Sequence, residues 1–151
     1  MKIAVFPGTF DPITNGHLDI VNKALPLFDK VIVALGDNAT KKTLFPLEQR
    51  MEWVNSIYKD GSKVEVQTYS GLTVEFCKEV GAQFIVRGLR SASDFEYEEH
   101  IAQVNRELNP SIDTIFVLSS QENAHISSTI VRDLINHNGN YQKFIPKEIE
   151  I

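Results

Sequence analysis

The sequence predicts one α/β domain, built as a doubly wound (Rossmann-like) five-stranded parallel sheet with helices on both faces. Short runs of β-branched and aromatic residues alternate with helical stretches along the chain, which is the pattern of βαβ units. Most of these runs are almost continuously apolar, as in strands that a parallel sheet buries on both faces. No linker, repeat or low-complexity segment interrupts the 151 residues, so we expect residues 1–151 to form a single domain.

Five strands are predicted. The first, second, fourth and fifth runs are nearly continuous in Val, Ile, Phe, Leu and Ala, and we expect both of their faces to be buried. The third run alternates Val64 and Val66 with polar residues, which indicates an edge strand. In chain order the predicted strands are Lys2–Phe6, Lys30–Gly36, Lys63–Tyr69, Gln83–Arg87 and Thr114–Leu118.

Five helices fill the gaps, and their ends carry characteristic residues. Pro26 and Pro110 should stop the first and fourth helices, and Gly81 is a favourable C-cap for the third. Ser93 and Glu96 form a capping-box pattern at the start of the fourth helix. The predicted helices are Asn15–Leu25, Leu47–Tyr58, Leu72–Val80, Asp94–Leu108 and a last one that Ser127 or Ser128 caps and that ends at His137.

The composition excludes several classes of protein. A count of 15 Lys and Arg against 20 Asp and Glu gives a net charge of −5, which disfavours nucleic acid and anionic membranes as partners. Cys77 is the only cysteine, so neither an internal disulfide nor a thiol-based metal site is expected. The apolar N-terminus breaks at Pro7 and no run reaches the roughly 18 apolar residues of a membrane span. We therefore expect a cytoplasmic protein.

A phosphate-binding pattern follows the first predicted strand. The chain contains neither G-x-x-x-x-G-K-S/T nor G-x-G-x-x-G, so the P-loop and the standard dinucleotide fingerprint are both absent. Instead Gly8 and Thr9 lead into Thr14-Asn15-Gly16-His17 at the start of a helix. A helix N-terminus attracts anions, and a glycine there leaves room for a phosphate. His17 can then donate a hydrogen bond to it, although a lone histidine is more often a satisfied structural residue.

Cationic residues follow the second and fourth strands. Lys41 and Lys42 lie in a predicted loop, where two solvated lysines are the ordinary interpretation. Arg87-Gly88-Leu89-Arg90 ends an apolar strand, and a charge there requires a specific partner. Two guanidinium groups beside a glycine suit bidentate phosphate recognition. The alternative is that the arginines pair with nearby carboxylates, namely Asp94, Glu96 or Glu98, and we favour the phosphate role.

A second cluster of hydroxyl groups opens the last helix, at Ser127-Ser128-Thr129. One serine there caps the helix, and together the three residues predict a second anion site. All of these candidates follow strands of the predicted parallel sheet, as do Leu72 and Thr73 after the third. The carboxyl ends of parallel strands share one edge, where ligands bind at the topological switch point.

With Thr14-Asn15-Gly16-His17 and Ile126-Ser127-Ser128-Thr129 in place, the chain resembles the T/H-x-G-H nucleotidyltransferases. More narrowly, it is similar to the bacterial phosphopantetheine adenylyltransferase family, and the likeness extends over nearly the whole chain. The further matching blocks are Pro7–Ile13, Lys41-Lys42, Arg87–Arg90 and Asp94–Glu98. The resemblance implies transfer of the adenylyl group of ATP to 4′-phosphopantetheine, which yields dephospho-coenzyme A and pyrophosphate in the penultimate step of coenzyme A synthesis.

The resemblance also implies roles for individual residues. His17, Lys41, Arg90 and Ser128 would be catalytic, and Thr9, Lys41, Leu72, Thr73 and Arg87 would hold the acceptor. The residues implied in ATP binding are Thr9, Phe10, His17, Gly88, Leu89, Arg90, Glu98, Asn123, Ala124, His125, Ile126, Ser127, Ser128 and Thr129. Members of the family use Mg²⁺, and we expect ATP phosphates rather than protein ligands to hold the ion. They also assemble as homohexamers and are often inhibited by coenzyme A.

The expected mechanism needs no general base, because the nucleophile is a phosphate oxygen that is already ionised at neutral pH. Positioning and charge neutralisation should dominate, with His17, Lys41, Arg90 and Mg²⁺ as sources of charge and the hydroxyl groups of Thr9 and Ser128 as hydrogen-bond donors. The protonation state of His17 is left open, since a helix dipole lowers its pKa and phosphates raise it. Alternatives are a related nucleotidyltransferase acting on nicotinamide mononucleotide or glycerol phosphate, a non-catalytic adenine-nucleotide sensor, and a plain interaction domain.

Overall fold

The architecture was examined in a computed structural model, which describes residues 1–59 and 62–151. Strands and helices alternate throughout. The strands are β1 (Ile3–Gly8), β2 (Lys30–Gly36), β3 (Val64–Tyr69), β4 (Phe84–Leu89) and β5 (Asp113–Leu118), and the helices are α1 (Asn15–Ala24), α2 (Leu47–Ile57), α3 (Thr73–Glu79), α4 (Ala92–Leu108) and α5 (Ser128–Asn136), followed by a 3₁₀ turn at Gln142–Phe144. The predicted α/β class and order of elements are confirmed.

The five strands form one parallel sheet in the order β3-β2-β1-β4-β5. The switch in strand order therefore lies between β1 and β4. These two strands pair over only two positions, Ala4 with Phe84 and Val5 with Ile85, whereas each of the other ladders runs over six. The sheet consequently opens between β1 and β4 toward its carboxyl edge, where ligands bind in folds of this type.

Helices cover both faces of the sheet, as predicted. On one face, buried side chains of α1, α2 and α5 pack on β1 and β2, with Ile20, Val54 and Val131 among them. On the other face, Val74 and Cys77 of α3 pack against the opposite side chains of the same strands. Burial raises the pKa of the Cys77 thiol to about 12, so this cysteine is an unreactive core residue.

Two sequence-based predictions about the elements are wrong. The fifth strand is not buried on both faces: β5 is an edge strand, its residues are only half-buried, and Leu118 is 70% exposed. Helix α4 begins two residues before the predicted position, because the hydroxyl of Ser91, rather than that of Ser93, accepts the capping hydrogen bond from the Asp94 amide. By contrast, β3 is an edge strand as its alternating pattern indicated.

Candidate active site

A cavity of about 1010 Å³ opens at the carboxyl edge of the sheet, over the gap between β1 and β4. The loops that follow all five strands contribute to its walls. The structure thus brings most of the predicted site residues together. Those that line the cavity are Thr9, Phe10, His17, Lys41, Thr73, Arg87, Gly88, Arg90, Glu98, Ile126, Ser127, Ser128 and Thr129.

Five predicted site residues lie beside the cavity rather than on its walls. Leu72 is 57% exposed to solvent, and the Leu89 carbonyl accepts a hydrogen bond from the Ser119 amide at the end of the sheet. Asn123 and Ala124 form part of a turn before α5. The exposed His125 packs edge-on against Phe144, with 6.0 Å between ring centroids. Their predicted contacts with substrates stay predictions.

The first turn of α1 holds the imidazole of His17 in a defined orientation. Thr14 is the N-cap residue: its hydroxyl accepts from the His17 amide, and its own amide donates to His17 Nδ1 at 2.9 Å. Because Nδ1 is an acceptor, the ring proton of the neutral imidazole lies on Nε2. Thr14 and His17 thus form a capping box in which histidine takes the place of the usual Glu or Gln.

His17 is neutral in the free protein. Burial, together with the nearby charges of Arg90 and Arg87, lowers the pKa of His17 from 6.5 to about 4. Of the two protonation states that the sequence left open, the environment of His17 favours the neutral one in the unliganded site. A neutral imidazole with Nε2–H can donate one hydrogen bond without repelling the two guanidinium groups beside it.

The aromatic ring of Phe10 packs against the imidazole of His17. The backbone of Phe10 is left-handed, with φ of 50°, and its side chain is 2% exposed. The ring contacts His17 at 4.9 Å and Phe6 at 5.5 Å between centroids, both edge-on. The Phe10 side chain thus packs against His17 and restricts the orientation of its ring.

Lys41 and Thr9 form a direct hydrogen bond at the cavity wall. Lys41 Nζ donates to Thr9 Oγ1 at 2.8 Å, so a loop after β2 and a loop after β1 place an ammonium and a hydroxyl side by side. The Thr9 hydroxyl acts as acceptor in this contact and can still donate its own proton. Both groups suit the recognition of a phosphate.

Two buried charged residues that the sequence analysis missed hold this arrangement. The Asp11 carboxylate accepts from the amides of Leu44 and Phe45 at 2.9 and 3.0 Å. Arg50 is only 4% exposed and donates to the carbonyls of Thr9 and Phe45 at 2.6 and 3.0 Å. Together they fasten the end of the loop that carries Lys41 to the loop that carries Thr9. The signal available in the sequence was the position of Arg50 on the apolar face of the predicted helix, three residues after Leu47 and four before Val54.

Arg87 is paired inside the protein. Its Nε and Nη2 donate to the two oxygens of Glu98 at 2.8 and 2.6 Å, and its Nη1 donates to the Pro7 carbonyl at 3.1 Å. The last contact bridges β1 and β4 where their own ladder has ended. For Arg87 the geometry thus favours pairing with a nearby carboxylate over the predicted role in phosphate recognition. A ligand phosphate would meet a guanidinium whose charge Glu98 already balances.

Arg90 is less constrained than Arg87. Its Nε lies 3.4 Å from Asp94 Oδ2, and its side chain is 43% exposed. Asp94 also accepts from the Arg90 backbone amide at 2.8 Å. Between the two arginines, Gly88 is required by packing, since a Cβ there would lie 2.8 Å from Ile20 Cγ1.

The N-terminus of α5 forms the second anion-attracting wall. Ser127 is the cap and accepts from the Ile130 amide at 3.2 Å. The hydroxyl of Ser128 donates to the Pro12 carbonyl at 2.8 Å. The expected hydroxyl donation by Ser128 is therefore already committed in the free protein, while its backbone amide belongs to the first turn of α5. Arg132, left aside in the sequence analysis, lines the cavity and donates to the Asp11 carbonyl at 2.8 Å.

The cavity concentrates positive charge in an acidic chain. Its walls include five cationic side chains, Lys41, Arg50, Arg87, Arg90 and Arg132, against four carboxylates, Asp11, Asp37, Asp94 and Glu98. Among residues 1–59 and 62–151, no group of three or more His, Cys, Asp or Glu side chains could hold a metal ion. No helix in the same part of the chain is long and apolar enough to cross a membrane. The cationic side chains on the cavity walls suit a small ligand carrying several phosphates.

Two solved structures illustrate the likeness of this fold to those of known proteins. A bifunctional NMN adenylyltransferase/ADP ribose pyrophosphatase from Francisella tularensis, complexed with AMP and a manganese ion, aligns with a TM-score of 0.63 and 21% identity, covering 95% of this chain and 44% of that protein. A lipopolysaccharide core biosynthesis protein from Thermoplasma volcanium aligns with a TM-score of 0.57 and 21% identity over 80% of this chain and 97% of that protein. At this identity the likeness establishes the fold alone.

Sequence relatives establish the family. The Cytidylyltransferase-like family matches residues 5–134. A protein of Christiangramia forsetii named phosphopantetheine adenylyltransferase is 55% identical over 146 residues, which cover 97% of this chain and 96% of that protein. One of the same name from Bacteroides thetaiotaomicron is 47% identical over 100% of this chain and 99% of its own length. The chain, with its T/H-x-G-H helix and its cationic cavity, therefore belongs to the phosphopantetheine adenylyltransferase family.

Proposed function

We propose that this protein transfers the adenylyl group of ATP to 4′-phosphopantetheine, giving dephospho-coenzyme A and pyrophosphate. Family membership supports the reaction. The structural observation that carries the proposal is the His17 imidazole in the first turn of α1, held through Nδ1 by the Thr14 amide, on the wall of the same cavity as the N-terminus of α5. We call His17 and Ser127–Thr129 the nucleotide half of the cavity, and Thr9, Lys41 and Thr73 the acceptor half.

The chemistry is an in-line displacement at the α-phosphate. An ionised oxygen of the acceptor phosphate forms a bond to the α-phosphorus, the bond from that phosphorus to the bridging oxygen of the β-phosphate breaks, and its electron pair leaves with pyrophosphate. No proton has to be removed from the nucleophile, so a catalytic base is unnecessary. The main barrier is repulsion between two polyanions, which positioning and preorganised electrostatic groups can lower.

The residues divide this task by their chemistry. His17 Nε2–H donates a hydrogen bond to the α-phosphate as negative charge shifts during displacement. Lys41, together with the Thr9 hydroxyl, holds the acceptor phosphate. Arg90 is the partly exposed guanidinium on the cavity wall, so it can swing from Asp94 onto the phosphates of ATP. The α5 N-terminus contributes backbone amides, including that of Ser128, rather than the Ser128 hydroxyl.

Mg²⁺ fits this site as a cation carried by the phosphates. Three of the four cavity carboxylates, Asp11, Asp94 and Glu98, already accept hydrogen bonds from protein groups. We therefore propose that ATP phosphates and water supply most of its ligands. When bound, the ion neutralises charge on the phosphates.

Self-assembly is supported by the outer face of α4. Tyr97, Ile101, Val104 and Leu108 are spaced along one stripe of the helix and are 69, 37, 55 and 54% exposed. Glu98 is the single buried residue of this helix. We propose that this stripe is covered in a homohexamer, which light scattering of the wild type and of Val104→Glu would test.

Two further proposals, on regulation and on location, rest on the proposed substrates. Coenzyme A contains the adenylyl and phosphopantetheine parts of the product, so it can occupy both halves of the cavity. We propose it as a feedback inhibitor that competes with both substrates. We propose a cytoplasmic location, where ATP is abundant. Inhibition patterns against each substrate would test the first proposal.

A substrate panel tests the function. Pyrophosphate release is measured with ATP and Mg²⁺ in the presence of 4′-phosphopantetheine, pantetheine, nicotinamide mononucleotide or glycerol phosphate. Release with 4′-phosphopantetheine alone is the expected result. Release with another phosphorylated acceptor would assign the chain to a different nucleotidyltransferase, and ATP binding without any release would favour a nucleotide sensor.

A further inference from the structure

A carboxylate outside the cavity links two of its walls. Asp19 lies on α1, two residues after His17, and its side chain is 13% exposed. Its two oxygens accept from the Ser120 amide at 2.7 Å and from the Ser120 hydroxyl at 2.8 Å. Burial raises the pKa of Asp19, but the hydrogen bonds from Ser120 and Lys23 outweigh that effect and hold it below its usual value. The carboxylate is therefore ionised at neutral pH.

Lys23 strengthens the same connection. One turn after Asp19, its ammonium group donates to the Asp19 carboxylate at 3.2 Å and to the Leu118 carbonyl at 2.7 Å. Side chains of helix α1 thus bind Leu118, the last residue of β5, and Ser120, two residues further along. Asp19 and Ser120 are 101 positions apart in the chain, so this is a tertiary contact rather than a local turn.

A series of turn hydrogen bonds connects Ser120 to the start of α5. Turn hydrogen bonds run from the Asn123 amide to the Ser120 carbonyl at 2.9 Å and from the Ile126 amide to the Asn123 carbonyl at 3.0 Å. The segment then reaches the capping residue Ser127. It also packs on the N-terminus of α1, since a Cβ on Gly16 would lie 3.5 Å from the Ile126 carbonyl oxygen. The position of Ser120 therefore affects where the α5 N-terminus lies relative to His17.

We infer that Asp19 is a positioning residue for the nucleotide half of the cavity: by holding Ser120 it fixes the N-terminus of α5 against the N-terminus of α1. This inference rests on the proposed function, in which those two helix ends receive the phosphates of ATP. The acceptor half is held by a different set of contacts, through Asp11 and Arg50. Loss of the Asp19 contacts should therefore weaken ATP binding selectively.

The experiment compares Asp19→Ala and Asp19→Asn with Glu65→Gln. Glu65 is a matched control, because its carboxylate also accepts hydrogen bonds from two side chains, Lys30 and Gln67, and its pKa is also lowered, but it lies on β3 and does not line the cavity. ATP affinity is measured by calorimetry without acceptor, and KM is measured for each substrate.

For Asp19→Ala we expect the Kd and KM for ATP to rise about tenfold, a typical loss for hydrogen bonds to a charged group. The KM for the acceptor should change less than about twofold, and Asp19→Asn should lie between Asp19→Ala and the wild type because it keeps one acceptor oxygen. Glu65→Gln should match the wild type in all three constants. Equal losses for ATP and acceptor, or an unchanged ATP Kd in Asp19→Ala, would overturn the inference.

A milder variant covers the case in which Asp19→Ala does not fold. Ser120→Ala removes one hydrogen bond and keeps the backbone one, so the ATP Kd should rise roughly twofold to threefold; no rise would overturn the inference. The proposed function can fail separately. If the wild type releases no pyrophosphate with any acceptor, the proposed reaction is wrong. If the wild type is active but the Asp19 variants bind ATP as tightly as the wild type does, only the positioning role of Asp19 is rejected.

Discussion

The two halves of the cavity are built in different ways. In the nucleotide half, His17 and Ser127 lie at helix ends, and capping hydrogen bonds within the first turn determine their positions. In the acceptor half, Lys41 lies on the loop between β2 and α2, and its position depends on distant partners, namely Asp11, Arg50 and Thr9. Local rules therefore explain how each side chain of the first half is oriented, and the contact between Asp19 and Ser120 sets the two helix ends against each other. In the second half, even the position of the single lysine depends on tertiary contacts.

This difference has a consequence for catalysis. A helix end is rigid and presents backbone amides, which suits the reacting phosphate. A loop with one lysine supplies a positive charge that an incoming acceptor phosphate can use. We therefore expect substitutions in the nucleotide half to reduce kcat and substitutions in the acceptor half to raise the KM for the acceptor.

The largest expected effect is that of His17→Ala. Removing a preorganised donor from the reacting phosphate should lower kcat by roughly 10²–10³-fold, with a much smaller change in ATP affinity. Steady-state kinetics and calorimetry measure the two quantities, and His137→Ala, an exposed histidine at the far end of α5, is the control. Equal losses in kcat and ATP affinity would mean that His17 binds the ground state only.

Protonation of His17 should also affect stability. Between pH 4 and 6.5 the unfolded chain binds a proton at this position and the folded chain does not, because the folded pKa is lowered from 6.5 to about 4. The free energy of unfolding should therefore rise with pH across that window, by up to about 3 kcal/mol. Urea unfolding of the wild type and His17→Ala at several pH values tests this; parallel curves would contradict it.

Arg87→Ala should destabilise the fold by about 2–3 kcal/mol, since it leaves the buried Glu98 carboxylate without its partner. The exposed pair of Arg106 and Asp113 provides a control, and Arg106→Ala should cost less than about 1 kcal/mol. Chemical denaturation measures both losses. If the two variants lose the same stability, the pairing of Arg87 with Glu98 is not structurally important.

Lys41→Ala should raise the KM for 4′-phosphopantetheine about tenfold or more, as expected for a lost charge-assisted hydrogen bond. The KM for ATP should change little. The neighbouring Lys42 is exposed and does not line the cavity, so Lys42→Ala is a closely matched control. An unchanged acceptor KM in Lys41→Ala would remove Lys41 from the acceptor half.

The smallest effect is expected at the α5 cap. Ser127→Ala removes the acceptor for the Ile130 amide and should cost about 1 kcal/mol of stability, while Ser127→Gly should cost only a few tenths of a kcal/mol. Thermal unfolding of the two variants measures the difference. Equal losses would show that the side-chain cap does not stabilise this helix.

The sequence was most informative where local chemistry determines structure. The apolar runs predicted β1, β2 and β4, and the patterns at Thr14–His17 and Ser127 located both helix ends of the nucleotide half. Because the carboxyl ends of parallel strands share one edge, the sequence alone assigns most candidates to one edge of the sheet, where the cavity lies. The reaction itself came from the resemblance of whole motifs rather than from any single residue.

The errors share a physical cause, which is dependence on tertiary neighbours. Strand order is not encoded locally, so the position of β5 at an edge could not be read from its apolar sequence. The pairing of Arg87 with Glu98 joins a strand to the adjacent helix, and the sequence offered three carboxylates as partners. The neutral state of His17 depends on burial and on two arginines from another strand and its loop.

The most direct test of the proposed reaction follows the oxygens of the acceptor phosphate. 4′-Phosphopantetheine labelled with ¹⁸O at its three non-ester phosphate oxygens is incubated with the wild-type protein, ATP and Mg²⁺, and the products are analysed by mass spectrometry. Attack on the α-phosphorus predicts that all three labels remain in dephospho-coenzyme A and that pyrophosphate is unlabelled. Labelled pyrophosphate, or release of AMP in place of pyrophosphate, would contradict the account.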